Sequence, residues 1–95
     1  MEDYPTDTEL EAIEKWMPKV WNGEEFHKYM EYIRDRWKYA DDGYWEQDGL
    51  NYTLHTAGWS GNEDIIQAMK KNYIFWALYW QSASRGGHYT FSPNR

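Results

Sequence analysis

Phe26, Tyr29, Met30, Ile33 and Trp37 fall at i, i+3, i+4, i+7 and i+11, which is one apolar stripe along a helix. No other segment is as periodic, so this stripe constrains the fold first: a helix lies there with one face buried. The opposite face carries Glu24, Lys28, Glu31, Arg34, Asp35 and Lys38. Asn22 is placed to cap its start, and Asp41-Asp42-Gly43 ends it. Upstream, Thr6-Asp7-Thr8-Glu9 has the form of a capping box. Leu10, Ile13 and Met17 follow at helical spacing, and Pro18 cannot continue that helix. A first helix over 6–17 follows.

The pattern changes after residue 43. Tyr44 to Gln47 and Leu50 to Thr56 flank Asp48-Gly49, a hairpin signal because glycine supplies the positive φ of a tight turn. Tyr52 and Leu54 point to one face of the second strand, Thr53 and His55 to the other. Ser60 and Glu63 form a second capping box, opening a helix that holds Ile65, Ile66 and Met69 inside. Lys70 and Lys71 suit its last turn, and Asn72 stops it. Residues 73–81 are dense in aromatics and read as a long strand, with a continued helix as the rival, since a short apolar run has no decisive period. Arg85-Gly86-Gly87 is a turn, and His88 to Ser92 a last strand. The expected class is α+β: two helices, then ββαββ with a four-stranded antiparallel sheet.

Ninety-five residues suit one domain, 1–95, with an acidic helical half (1–42) and an aromatic-rich sheet half (43–95). Residues 1–48 hold 14 acids and 6 bases, and residues 49–95 hold 2 acids and 4 bases. That excludes a nucleic-acid binder by bulk charge. No cysteine is present, which rules out a disulfide scaffold, a thiolate metal site and a cysteine nucleophile. The acidic start with no apolar run behind it argues against a secretory signal, and the longest apolar run, Tyr73 to Trp80, is too short to span a bilayer. A cytoplasmic protein is expected, without membrane contact.

The aromatic content is unusual. Seven Trp, nine Tyr and three Phe stand against one Val, at position 20. Most should be core, but so many rings exceed what one small core can hide. An exposed patch is expected among Tyr44, Trp45, Trp59, Tyr79 and Tyr89.

Chemical constellations are sparse. Glu24-Glu25-Phe26-His27 contains one Glu-x-x-His, whereas a di-iron bundle needs two. His55 and His88 can meet across the sheet, but two imidazoles alone make a poor zinc site. The only acids in the C-terminal half, Glu63 and Asp64, sit at a helix start, which leaves no Ser-His-acid set. No catalytic set, metal or cofactor is expected. Two binding sets remain. Glu24, Glu25, Glu31, Asp35, Asp41 and Asp42 form an acidic face that can compete for a basic groove. Tyr44, Trp45, Trp59, Asn62, Arg85, His88 and Tyr89 form an aromatic or ligand patch, in which the turn from Gly58 to Asn62 at a helix N-terminus and Arg85 can hold an anion.

The segment Gly58-Trp59-Ser60-Gly61-Asn62-Glu63, with Phe75-Trp76, Tyr79-Trp80 and Arg85-Gly86-Gly87-His88-Tyr89-Thr90-Phe91, resembles small uncharacterised proteins encoded by bacteriophages and prophages. The resemblance spans residues 44–92. It implies a phage accessory protein, a class that includes inhibitors of host defence such as anti-CRISPR proteins. The expected function is a non-enzymatic binding protein that occludes a basic or nucleic-acid-binding surface of a host or phage protein, without binding nucleic acid itself. The alternative is a small-ligand binder that takes an anionic nucleotide or sugar on the aromatic patch. A homodimer that buries exposed aromatics is a further expectation.

Overall fold

A computed structural model describes residues 4–93; Glu2 and Asp3, counted above with the acidic half, lie outside the described residues. The expected capping box opens α1 (Asp7–Glu14): Thr6 Oγ1 accepts from Glu9 N at 3.1 Å, and Glu9 Oε1 accepts from Thr6 N at 2.9 Å. The helix ends at Glu14, short of the expected residue 17, and Met17 is exposed. Pro18 disfavours a helical conformation at the residue before it. Asn22 caps α2 (Gly23–Arg34), with Oδ1 accepting from Glu25 N at 2.9 Å. Its apolar stripe is buried as expected, Phe26, Tyr29, Met30 and Ile33 together.

The second helix also ends early, at Arg34 rather than at 41–43. Trp37 supplies the physical reason. Its indole is buried, and a buried N–H needs an acceptor. Trp37 Nε1 donates to the carbonyls of Tyr44 at 3.0 Å and His55 at 3.2 Å, at one end of the sheet. The chain must leave the helix to put it there. Tyr39 then takes a left-handed conformation, φ 64°, before a short 3-10 turn, Ala40–Asp42.

The sheet is four-stranded and antiparallel, in the order β1 (Trp45–Asp48), β2 (Asn51–His55), β4 (His88–Phe91), β3 (Trp80–Ser84). Gly49, at φ 65°, makes the expected hairpin turn. Trp45, Tyr52, Leu54 and Phe91 are buried on the inner face, where Tyr89 is half-buried. Glu46, Thr53, His55, His88, Thr90 and Ser82 occupy the other face, in pairs set by the register. The α+β class and the layout of helices first, then strands, hold.

Most of the strand expected over residues 73–81 is helix. After α3 (Ser60–Lys71), Asn72 breaks the helix at φ −83°, ψ 83° and caps a new one, α4 (Tyr73–Tyr79), by accepting from Phe75 N at 3.2 Å. Only Trp80 and the residues to Ser84 form strand. Phe75 and Tyr79, one turn apart, are buried, while Tyr73 and Ile74 are exposed. Both sides of α4 are apolar, which erased the period that would have marked a helix.

The second expected capping box also fails. The cap of α3 is Trp59, without a side-chain bond, and Ser60 Oγ instead lies 2.9 Å from Tyr4 Oη. The Trp59 ring covers Gly61 so closely that a Cβ there would overlap it.

The core is largely aromatic. Phe26 stacks on Tyr79 at 4.3 Å between centroids, Tyr29 lies 4.4 Å from Phe75, and Tyr52 meets Phe26 edge-on at 5.3 Å. Each such ring removes about 150–250 Å² from water, a gross gain of about 4–6 kcal/mol before entropy. Of the 19 aromatics, eight are buried and five exposed, so the surplus over the core is real. Its membership differs from expectation. Of the five rings expected at the surface only Tyr44 is exposed; Trp45 and Tyr79 are core, and Trp59 and Tyr89 are half-buried. The other exposed rings are Tyr4, Tyr39, Tyr73 and Trp80. Among the described residues no helix is long and apolar enough to cross a membrane.

Candidate functional site

The acidic set is divided by the helix that carries it. Glu24 and Glu25 lie in the first turn of α2. Glu25 faces Lys28 at 3.6 Å, and Glu31 lies 3.9 Å from His27, whose Nδ1 is 2.6 Å from Tyr52 Oη. At the other end of α2, Asp35, Asp41 and Asp42 converge. They line one cleft with Arg34, Trp37, Tyr39 and Ala40, of about 430 Å³. A more open concavity beside it is lined by Tyr39, Asp42, Tyr44 and Ala57. The two share Tyr39 and Asp42, so half of the acidic set and one member of the aromatic set meet in a continuous surface.

The backbone there is strained. Tyr39 and Ala57 are the only non-glycine residues with positive φ among the described residues, at 64° and 57°. Such a conformation costs of order 1–3 kcal/mol for a residue with a Cβ. It sets the Tyr39 ring edge-on to Tyr44, 5.9 Å between centroids. Lys38 Nζ sits 5.2 Å from the Tyr39 ring and 4.7 Å from Trp59, which stacks on Tyr4 at 4.9 Å.

Nearby arginines are already engaged. Arg34 Nη2 donates to Asp41 Oδ1 at 2.6 Å. Arg36 Nε donates to Glu9 Oε2 at 3.0 Å, its Nη1 donates to Tyr32 O at 2.8 Å, and its guanidinium lies over the Tyr32 ring at 3.6 Å. Among the described residues no ion pair reaches Asp35 or Asp42. Two exposed carboxylates beside two tyrosine rings can receive a cationic side chain by charge and by cation–π contact.

The other members of the aromatic set are dispersed. Trp45 is core, opposite Leu54 in the hairpin register. Asn62 is fully buried and holds backbone: its Oδ1 accepts from Lys38 N at 3.0 Å, and its Nδ2 donates to Lys38 O at 3.2 Å and Thr56 O at 3.4 Å. It fixes the loop that carries Tyr39 and presents nothing to a ligand. Arg85 is exposed in the turn between β3 and β4. Tyr89 lies on the inner face, edge-on to Trp76 at 6.4 Å. His88 lies on the outer face, 4.1 Å from His55, whose Nε2 is 3.6 Å from Glu46. The two histidines do meet, but no three His, Cys, Asp or Glu side chains among the described residues are placed to hold a metal.

Sequence reasoning missed Tyr39, because the helix was expected to run through it. The role of Asn62 was available: it falls three, four and seven residues before Ile65, Ile66 and Met69, on the buried stripe of α3. Comparison with protein-family models, with curated proteins and with solved structures found no match.

Proposed function

We propose that this chain is a non-enzymatic binding protein of phage origin that engages a basic surface of a host defence protein in the host cytoplasm. The cleft at the C-terminal end of α2 is its contact surface. The observation that carries the reading is the pairing of two uncompensated carboxylates, Asp35 and Asp42, with the rings of Tyr39 and Tyr44. A lysine or arginine of the partner seats its charge between the carboxylates and lays its stem on the tyrosines. Acids spread around it match a groove evolved for phosphates and exclude nucleic acid from it. The strained Tyr39 fits this role, since backbone strain persists where geometry is set for contact.

The test is capture of a basic bacterial protein on the immobilised chain, followed by competition with nucleic acid for the captured protein. The reading expects mutual exclusion, and loss of capture when Asp35 and Asp42 are changed to lysine. A captured protein that binds nucleic acid and this chain at once contradicts it.

A further inference from the structure

The sheet ends in two unlike edges. On β1, Glu46 and Asp48 are exposed, and charges on an edge strand discourage another strand from pairing there. On β3 no residue is charged, and Ser82, Ala83 and Ser84 are all exposed. Their side chains alternate between the two faces, so neither face of this stretch is covered. A register shift sits at Trp80/Ser82, and beyond it Ser82–Ser84 pair regularly with β4. Alternate residues therefore point backbone N–H and C=O groups away from β4, where no further strand lies among the described residues.

The helix feeding this strand is open as well. Tyr73 is 79% exposed, Ile74 48% and Trp80 36%. β3 follows α4 without a loop, and Trp80 stacks on Trp76 at 5.7 Å across that junction. Residues 72–84 hold no charged residue, in a chain of net charge −6.

We propose that the edge of β3 and the exposed side of α4 form the docking surface for a second copy of this chain. Charge selects that occupant. Two copies, each of net charge −6, meet with least repulsion across a charge-free strip lying away from the acidic half, whereas a basic partner gains no ion pair there. Geometry agrees, because antiparallel pairing of one strand with its own copy is two-fold symmetric and self-complementary. A short strand alone buries too little; a stable interface needs about 800 Å² per partner. The rings of Tyr73 and Trp80 and the side chain of Ile74 supply apolar area beside it. The acidic cleft lies by β1, at the opposite edge of the sheet, so dimerisation leaves a cleft open on each copy.

Sedimentation equilibrium over a concentration series tests this on the full chain. A reversible dimer is expected. Ala83→Lys with Ser84→Lys, which places charges on both faces of the edge, should return it to monomer with an unchanged circular dichroism spectrum. Glu46→Lys with Asp48→Lys, on the other edge, should leave the dimer intact. If the β3 variant loses its fold, Tyr73→Glu reads the same surface from the helix and should also give monomer. A wild-type chain that stays monomeric throughout overturns the proposal, as does a dimer that survives the charges on β3 or α4.

Discussion

Asn72 reaches back across the molecule to Trp16: its Nδ2 donates to the Trp16 carbonyl at 2.8 Å and to the Ile13 carbonyl at 3.2 Å. The same side chain caps α4 through Phe75 N. One buried amide thus satisfies carbonyls left open where α1 ends and fixes the break between α3 and α4. Asn72→Ala leaves two carbonyls and one N–H without these partners, a cost of about 3 kcal/mol at 1–3 kcal/mol for each buried group left unpaired. Asn72→Asp keeps the acceptor for Phe75 but turns a carboxylate toward the two carbonyls, and is expected to be at least as damaging. Chemical denaturation of both variants measures this; a loss below 1 kcal/mol contradicts the assigned role.

Glu9 links the start of α1 to Arg36. Its hydrogen bond from the Thr6 backbone N–H and the nearby Arg36 guanidinium hold its carboxyl below the usual glutamate range. A depressed carboxyl contributes stability above its unfolded pKa and loses it as pH falls through its folded pKa. Glu9→Gln keeps an acceptor for the Thr6 N–H but loses the ion pair with Arg36, and is therefore expected to lower stability at neutral pH by up to about 1 kcal/mol. The two proteins should converge in acid. Thermal melts from pH 7 downward test this, and a gap that stays constant contradicts it.

Tyr52 behaves in the opposite sense at the alkaline end. Burial, with a smaller contribution from the Glu31 charge, pushes its phenol up to about 12. The folded state then holds a proton that the unfolded chain releases near pH 10, so stability falls as pH rises from about 10 toward 12. Tyr29 is raised further by its burial. Ultraviolet titration should show these two phenols ionising late, with Tyr52→Phe removing the component near 12. Complete ionisation of all tyrosines by pH 11 in a folded chain contradicts the packing described.

Much of the fold was legible because local chemistry and global packing agree. Thr6 and Glu9, Asn22, and Asp48-Gly49 each act in the structure as their spacing indicates. The errors fall where tertiary demands override local signals. Trp37 leaves its helix because its indole N–H needs the carbonyls of Tyr44 and His55. The run from Tyr73 lost its period because its solvent side is as apolar as its core side. The burial of Trp45 was within reach: the Asp48-Gly49 hairpin pairs it with Leu54, which fixes its face. The cleft was half legible. Asp35, Asp41, Asp42 and Tyr44 were named, but their convergence depends on the left-handed turn at Tyr39, for which the residue type gives no signal.

The most direct measurement of the binding account is the affinity of a purified captured partner for the wild-type chain, for Asp35→Lys with Asp42→Lys, and for Tyr44→Ala, followed over a salt series. All three changes lie on exposed side chains, so the fold should be retained. The account predicts that the charge reversal weakens binding by at least about tenfold, or 1.4 kcal/mol, that Tyr44→Ala weakens it by a smaller factor, and that the wild-type affinity falls as salt rises. An affinity that is unchanged by the reversal and insensitive to salt contradicts it.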